Sequence, residues 1–65
     1  MSYQIDMDNI AKGRIKETNF SSILLRLVMK ADSHNLELIS KGFPNAVETV
    51  EHWRKTSKIL DLPYD

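Results

Sequence analysis

Cysteine is absent from the 65 residues, which removes disulfides, thiolate metal ligation and thiol catalysis together. Neither sign of charge is in excess: nine Lys and Arg balance nine Asp and Glu, so there is no strongly basic footprint for nucleic acid. Glycine and proline occur twice each, and Gly13 and Gly42 stand alone without forming a phosphate-binding loop. No apolar run approaches the roughly 20 residues of a membrane span. The opening MSYQIDMD also lacks the basic start and apolar stretch of a signal peptide. The expectation is a soluble cytoplasmic protein. Length is scarce too, since below roughly 70 to 80 residues one core seldom supplies more than about 3 to 5 kcal/mol. Without disulfides, the remaining supports are a metal held by other ligands, regular helix packing or a partner subunit.

Helical periodicity is the strongest positive signal. Phe20, Ile23, Leu24, Leu27, Val28 and Ala31 follow the i, i+3, i+4, i+7, i+8, i+11 spacing of an amphipathic helix over 20–31. Asn19 or Thr18 is placed to cap its start, and Asp32 and Ser33 to cap the next helix. That second helix is predicted over 33–41, with Leu36 and Ile39 on one face and Leu38 beside them. Gly42 then reads as a left-handed stop, Phe43 folds back on Leu38 as in a Schellman motif, and Pro44 blocks continuation. Asn45 with Glu48 forms a capping box for a third helix over 46–58, whose inner face is Ala46, Val50, Trp53 and Ser57 with Val47 at its margin. Glu51 and Lys55 make a favourable i, i+4 pair on the outer face. Pro63 argues against further helix, so the apolar residues of ILDLPYD are expected to pack as an extended segment.

Residues 1–19 carry two conflicting patterns. Tyr3, Ile5 and Met7 alternate with polar neighbours as in a strand, whereas Met7, Ile10, Ala11 and Ile15 match a helical face. A lone strand would need to pair across a dimer; the alternatives are a short helix over 8–16 or a partly ordered arm, and the arm is favoured. The expected architecture is therefore a small all-α domain of three helices over 20–65, preceded by an arm over 1–19, with Trp53, Phe43, Phe20 and the Leu and Ile positions forming the core.

The chemistry-bearing residues form no constellation. His34 and His52 lie on different helices without metal-ligand spacing, and Asp6 and Asp8 in DMDN lack the glycine and closing glutamate of a calcium loop. No serine sits in a GxSxG or SxxK setting. The reading is no catalytic, cofactor or metal site. A DNA-binding helix-turn-helix is the alternative, since two helices meet at a Gly-containing turn. Its recognition helix would open with Glu48 and Glu51 rather than with basic residues, which opposes phosphate contact.

Six of the seven residues from Ile23 to Met29 are apolar, more than one core-facing stripe needs. Projected at about 100° per residue, Phe20, Leu24, Leu27 and Ala31 point to the core, while Leu25 and Met29 form a second ridge. Either another part of the chain covers that ridge, or a partner protein or second copy does. The stretch from Leu24 to Trp53 resembles small bacterial, phage and mobile-element proteins at Leu27, Lys30, Ala31, Asp32, Asn35, Ile39, Phe43 and Pro44. That resemblance implies an accessory role and transfers no catalytic residue. The function read from the sequence is a non-enzymatic protein-interaction module, a homodimer that binds or inhibits a larger protein, with Leu25, Met29, Leu62 and Tyr64 at the contact. Nucleic acid, membrane and small-molecule partners are not expected.

Overall fold

Four helices make up the fold in a computed structural model that describes residues 2–14 and 19–65. They are α1 (Gln4–Ala11), α2 (Phe20–Lys30), α3 (Ser33–Gly42) and α4 (Pro44–Thr56), and an extended segment over 57–65 closes the chain. The three helices expected after residue 19 are present, and the all-α class holds. The fourth, α1, lies where an arm was expected. Ile15 and Thr18 fall outside the described residues.

The spacing of Tyr3, Asp6, Met7 and Ile10 explains α1. These i, i+3, i+4 and i+7 positions share one helical face, and Tyr3, Asp6 and Met7 are all buried while Ile10 packs at the core margin. Because Asp6 occupies one inner position, the apolar stripe is interrupted and resembles the alternation of a strand. Ile5, the residue that alternation places with Tyr3 and Met7, is 72% exposed. The helix stops at Gly13, whose φ of 76° is the left-handed value glycine adopts without steric cost. Among the described residues, extended pairing is brief and within the chain: Ser2 bridges Pro63, and the Tyr3 backbone N–H donates to the Leu62 carbonyl at 2.9 Å.

The core consists of Tyr3 and Met7 from α1, Leu24, Leu25 and Val28 from α2, and Ala46 and Val50 from α4. Helix α4 touches all three other helices, and α1 also packs on α2. This arrangement turns α2 by about one residue position, or roughly 100°, from the expected orientation. Leu24 and Val28 face inward as anticipated, but Leu25 is fully buried whereas Phe20 is 68% and Leu27 53% exposed. An apolar sequence on nearly all sides of α2 leaves its rotation to its neighbours. Once α1 contributes Tyr3 and Met7, the Leu25 side has a partner and is the side that buries.

The junctions also differ from expectation. Asp32 caps α3, its carboxylate accepting from the Asn35 backbone N–H at 2.8 Å. Gly42, by contrast, stays within α3 without a positive φ, and Phe43 alone separates the two helices. Pro44 is the first residue of α4, where its missing N–H costs no hydrogen bond, so it starts a helix rather than ending one. Asn45 consequently lies inside α4 and is not its cap. Phe43 meets Phe20, with ring centroids 5.9 Å apart, and Trp53 is only half-buried beside the core. Thr49 is fully buried on α4 beside Ala46 and Val50, its hydroxyl donating to the Asn45 carbonyl at 2.8 Å. Ser57, expected on the inner face, is the exposed left-handed stop of α4 at φ 62°. Glu51 pairs with Arg54 at 3.4 Å, and Arg54 also donates to the Met29 carbonyl at 2.5 Å, satisfying one of the free carbonyls at the end of α2.

Candidate functional site

Two features stand apart from the ordinary packing: a buried polar cluster and an exposed apolar face. They meet at the start of α2.

Asp6 organises the polar cluster. Its carboxylate, only 6% exposed, accepts from Ser21 Oγ at 2.5 Å, Tyr64 Oη at 2.8 Å, Ser22 Oγ at 3.1 Å and Asn19 Nδ2 at 3.2 Å. Asn19 precedes α2 in extended backbone, as a capping residue does, yet its side chain makes no cap bond. Its amide is turned to Asp6 and to Ser21 Oγ at 3.0 Å. Burial alone would raise the carboxyl pKa, but the hydrogen bonds from Ser21, Tyr64, Asn19 and Ser22 outweigh it and hold the group below its ordinary value. A carboxylate so stabilised is a weak base, and it does not activate the Ser21 hydroxyl. What it does is join α1, the first turn of α2 and the closing segment.

Tyr3 and Asp65 extend this join. The Tyr3 hydroxyl donates to Asp65 Oδ1 at 2.6 Å, and its ring meets Tyr64 edge-on with centroids 4.9 Å apart. Burial, followed by the bond to Asp65, pushes the Tyr3 phenol up to about 12. The other Asp65 oxygen accepts from the Asn45 backbone N–H in the first turn of α4, and Asn45 Nδ2 donates to the Pro63 carbonyl at 3.0 Å. Asp65 therefore serves from a distance as the cap that the local sequence would place at Asn45. In a helix-turn-helix that turn would approach the major groove, but here it holds an aspartate and exposes Glu48, both repelled by phosphate.

The apolar face lies on the other side of α2. Phe20, Ile23 and Leu27 recur at i, i+3 and i+7 and are each at least half exposed. Leu38 of α3 is likewise half exposed, and a groove lined by Leu27, Lys30, Ala31, Asn35, Leu38 and Ile39 connects the two helices. Together the four side chains expose on the order of 400 Å² of apolar surface, a patch size that marks interaction sites on small proteins.

The four residues assigned to a contact do not assemble into one. Leu25 is core, and Met29 is half-buried against it; this corrects their reading as an outward ridge, because α1 and α4 complete the core on that side. Leu62 is half-buried and gives its carbonyl to Tyr3, while Tyr64 binds Asp6, so both fasten the closing segment to α1. The residues that do share the exposed face were the ones read as core. Their i, i+3, i+7 spacing was visible, but spacing alone does not say which of two apolar faces is outward. The sequence offers Asp6 only as a polar residue beside Asp8, the pair lacking the rest of a calcium loop. Asp8 instead pairs with Lys12 at 3.1 Å, and among the described residues no group of His, Cys, Asp or Glu gathers to hold a metal. Nor is any described helix long and apolar enough to cross a membrane. No family model, curated protein or solved structure matches the chain.

Proposed function

We propose that this chain is a non-enzymatic protein-interaction module of the accessory kind its resemblance to mobile-element proteins implies, and that it docks through the α2–α3 face. The observation that carries the proposal is the exposure of Phe20, Ile23, Leu27 and Leu38 along one continuous side. Such a face gains free energy when covered, at roughly 25 cal/mol per Å² of apolar area removed from water. Its setting also supports the reading. The opposite face of α2 is fixed by the core, and its first turn is tied by Ser21 and Ser22 to Asp6. The docking side chains therefore project from a helix held on two counts, which lowers the ordering cost of association.

Site-specific photo-crosslinking tests the assignment. A photoreactive residue at Leu27, introduced into the full chain in its native host, is expected to yield protein adducts. The same residue at Lys55, exposed on α4, is the control and should yield few. Equal labelling at both positions, or none at Leu27, would refute the α2–α3 face as the docking surface.

A further inference from the structure

We infer that the occupant of the α2–α3 face is a second copy of this chain, seated with the two α2 helices antiparallel; the inference rests on the reading of that face as a docking surface. Along the exposed stripe the order is Phe20, Ile23, Leu27, Lys30, which is nearly symmetric about its midpoint. An antiparallel pair centred between Ile23 and Leu27 therefore sets each Ile23 against Leu27 of the other copy. It also brings each Phe20 to the Lys30 end of the opposite helix. There lies the open groove of about 400 Å³ between Leu27, Ala31, Leu38 and Ile39, with Lys30 and Asn35 completing its lining. Phe20 has a ring of suitable size and chemistry for that groove, and its 68% exposure leaves it available to enter.

The charge of Lys30 favours this direction. A parallel pair in register would put Lys30 against Lys30. In the antiparallel pair the two ammonium groups are displaced by about 15 Å along the axis, ten residues at 1.5 Å each, beyond the Debye length of roughly 8 Å at physiological salt. Each can then lie over the opposite Phe20, where a cation is attracted to the ring face. The contact is isologous and closes on itself, so it makes a dimer and not a filament. Covering the four apolar side chains on both copies removes on the order of 800 Å², to which the groove rim of Lys30, Ala31, Asn35 and Ile39 adds, so the contact is a small one, near the lower limit for a specific interface. Association is accordingly expected in the micromolar range.

Sedimentation equilibrium of the full chain from about 1 to 500 µM tests this, with expected mass rising from 7.5 kDa towards twice that value. Ile23→Glu and Leu27→Lys, each at a half-exposed position, should leave the far-ultraviolet circular dichroism unchanged and weaken self-association at least about 30-fold. Mixing the two variants should restore a one-to-one pair, because the antiparallel seat sets the new carboxylate against the new ammonium. If either charge lowers helicity, Ile23→Gln and Leu27→Gln ask whether the same positions support association. A wild-type mass that stays monomeric overturns the second copy, as does undiminished association of the variants. Failure of the mixture to reassociate overturns the antiparallel seat. Adducts at Leu27 with a different protein, from a chain that does not self-associate, overturn the second copy and leave the docking surface intact. Absence of both adducts and self-association overturns the two together.

Discussion

Replacing Asp6 by asparagine should destabilise the fold by about 2 to 3 kcal/mol, a value that follows from the four bonds its carboxylate accepts. Oδ1 serves Asn19 and Ser22, and Oδ2 serves Ser21 and Tyr64. Asparagine retains the shape but exchanges one acceptor oxygen for an NH₂ group. The serine hydroxyls can rotate to accept from it, whereas the Asn19 amide cannot. The remaining bonds change from charge-assisted to neutral, and a bond to a charged group contributes about 1.5 to 3 kcal/mol against about 1 for a neutral one. Asn19 and Tyr64 regain water because they lie near the surface, which limits the loss. With a urea dependence of about 1 kcal/mol per M, the midpoint followed by circular dichroism should fall by about 2 to 3 M. The acid limb supplies an independent check. A carboxyl whose folded pKa is depressed contributes stability that is present above its ordinary value of 3.8 and lost as pH falls through the folded value. Stability of the wild type should therefore converge on that of the variant below pH 4. A variant within about 0.5 kcal/mol of wild type at pH 7, ordinary scatter for a surface substitution, would refute the role given to Asp6. So would a gap that persists unchanged into strong acid.

Three further outcomes follow from the packing. Leu25→Ala should cost about 3 kcal/mol as a core truncation, lowering the thermal midpoint without first dissociating an assembly; loss of association with an unchanged melt would return Leu25 to an interface. Tyr3→Phe should cost about 2 kcal/mol by removing the bond to the Asp65 carboxylate. Because the Tyr3 pKa is raised from 10.0 to about 12, its share of stability is complete below pH 10 and lost as pH rises towards 12, so the gap from wild type should close over that window in urea titrations. Ser57→Gly should stabilise by about 1 kcal/mol, since a left-handed φ of 62° strains an L-residue; an unchanged urea midpoint would show that the strain is already relieved.

Much of the fold was legible because α2, α3 and α4 bury apolar residues at helical spacing, and Asp32 caps α3 by local chemistry alone. The misread parts share a physical cause: a residue's partner was distant in sequence. Asp6 looks polar and outward until Ser21, Ser22 and Tyr64 arrive, 15, 16 and 58 residues away. With Asp6 taken as outward, the helical face of Met7 and Ile10 competes with the strand alternation of Tyr3, Ile5 and Met7, so an arm is favoured and α1 is missed. Without α1, the Leu25 side of α2 appears unpaired and the Phe20 side is assigned to the core in its place. The error in the candidate site is thus a consequence of the error at Asp6. The cap of α4 failed for the same reason, since Asn45 was the local choice and Asp65, 20 residues on, is the actual acceptor.

That dependence has a functional counterpart. Asn19, bound to Asp6, immediately precedes Phe20, and the shallow hollow under that corner is lined by Tyr3, Asn19, Phe20, Ser21, Tyr64 and Asp65. The polar cluster therefore sets where α2 begins and hence where Phe20 projects, although Asp6 itself lies off the exposed apolar face. If Phe20 enters the groove of a second copy, loosening the cluster should weaken association by allowing the first turn of α2 to fray. Asp6→Asn, combined with Ser57→Gly to offset part of the stability loss, should raise the dissociation constant at pH 7 by about fivefold, a coupling of roughly 1 kcal/mol. Ser57→Gly alone, remote from both sites in sequence, should leave that constant unchanged. Sedimentation equilibrium on chains shown to be folded by circular dichroism measures both. Equal association by the two proteins would mean that Phe20 is positioned by its contact with Phe43 alone, and that the buried carboxylate serves only the stability of the protomer.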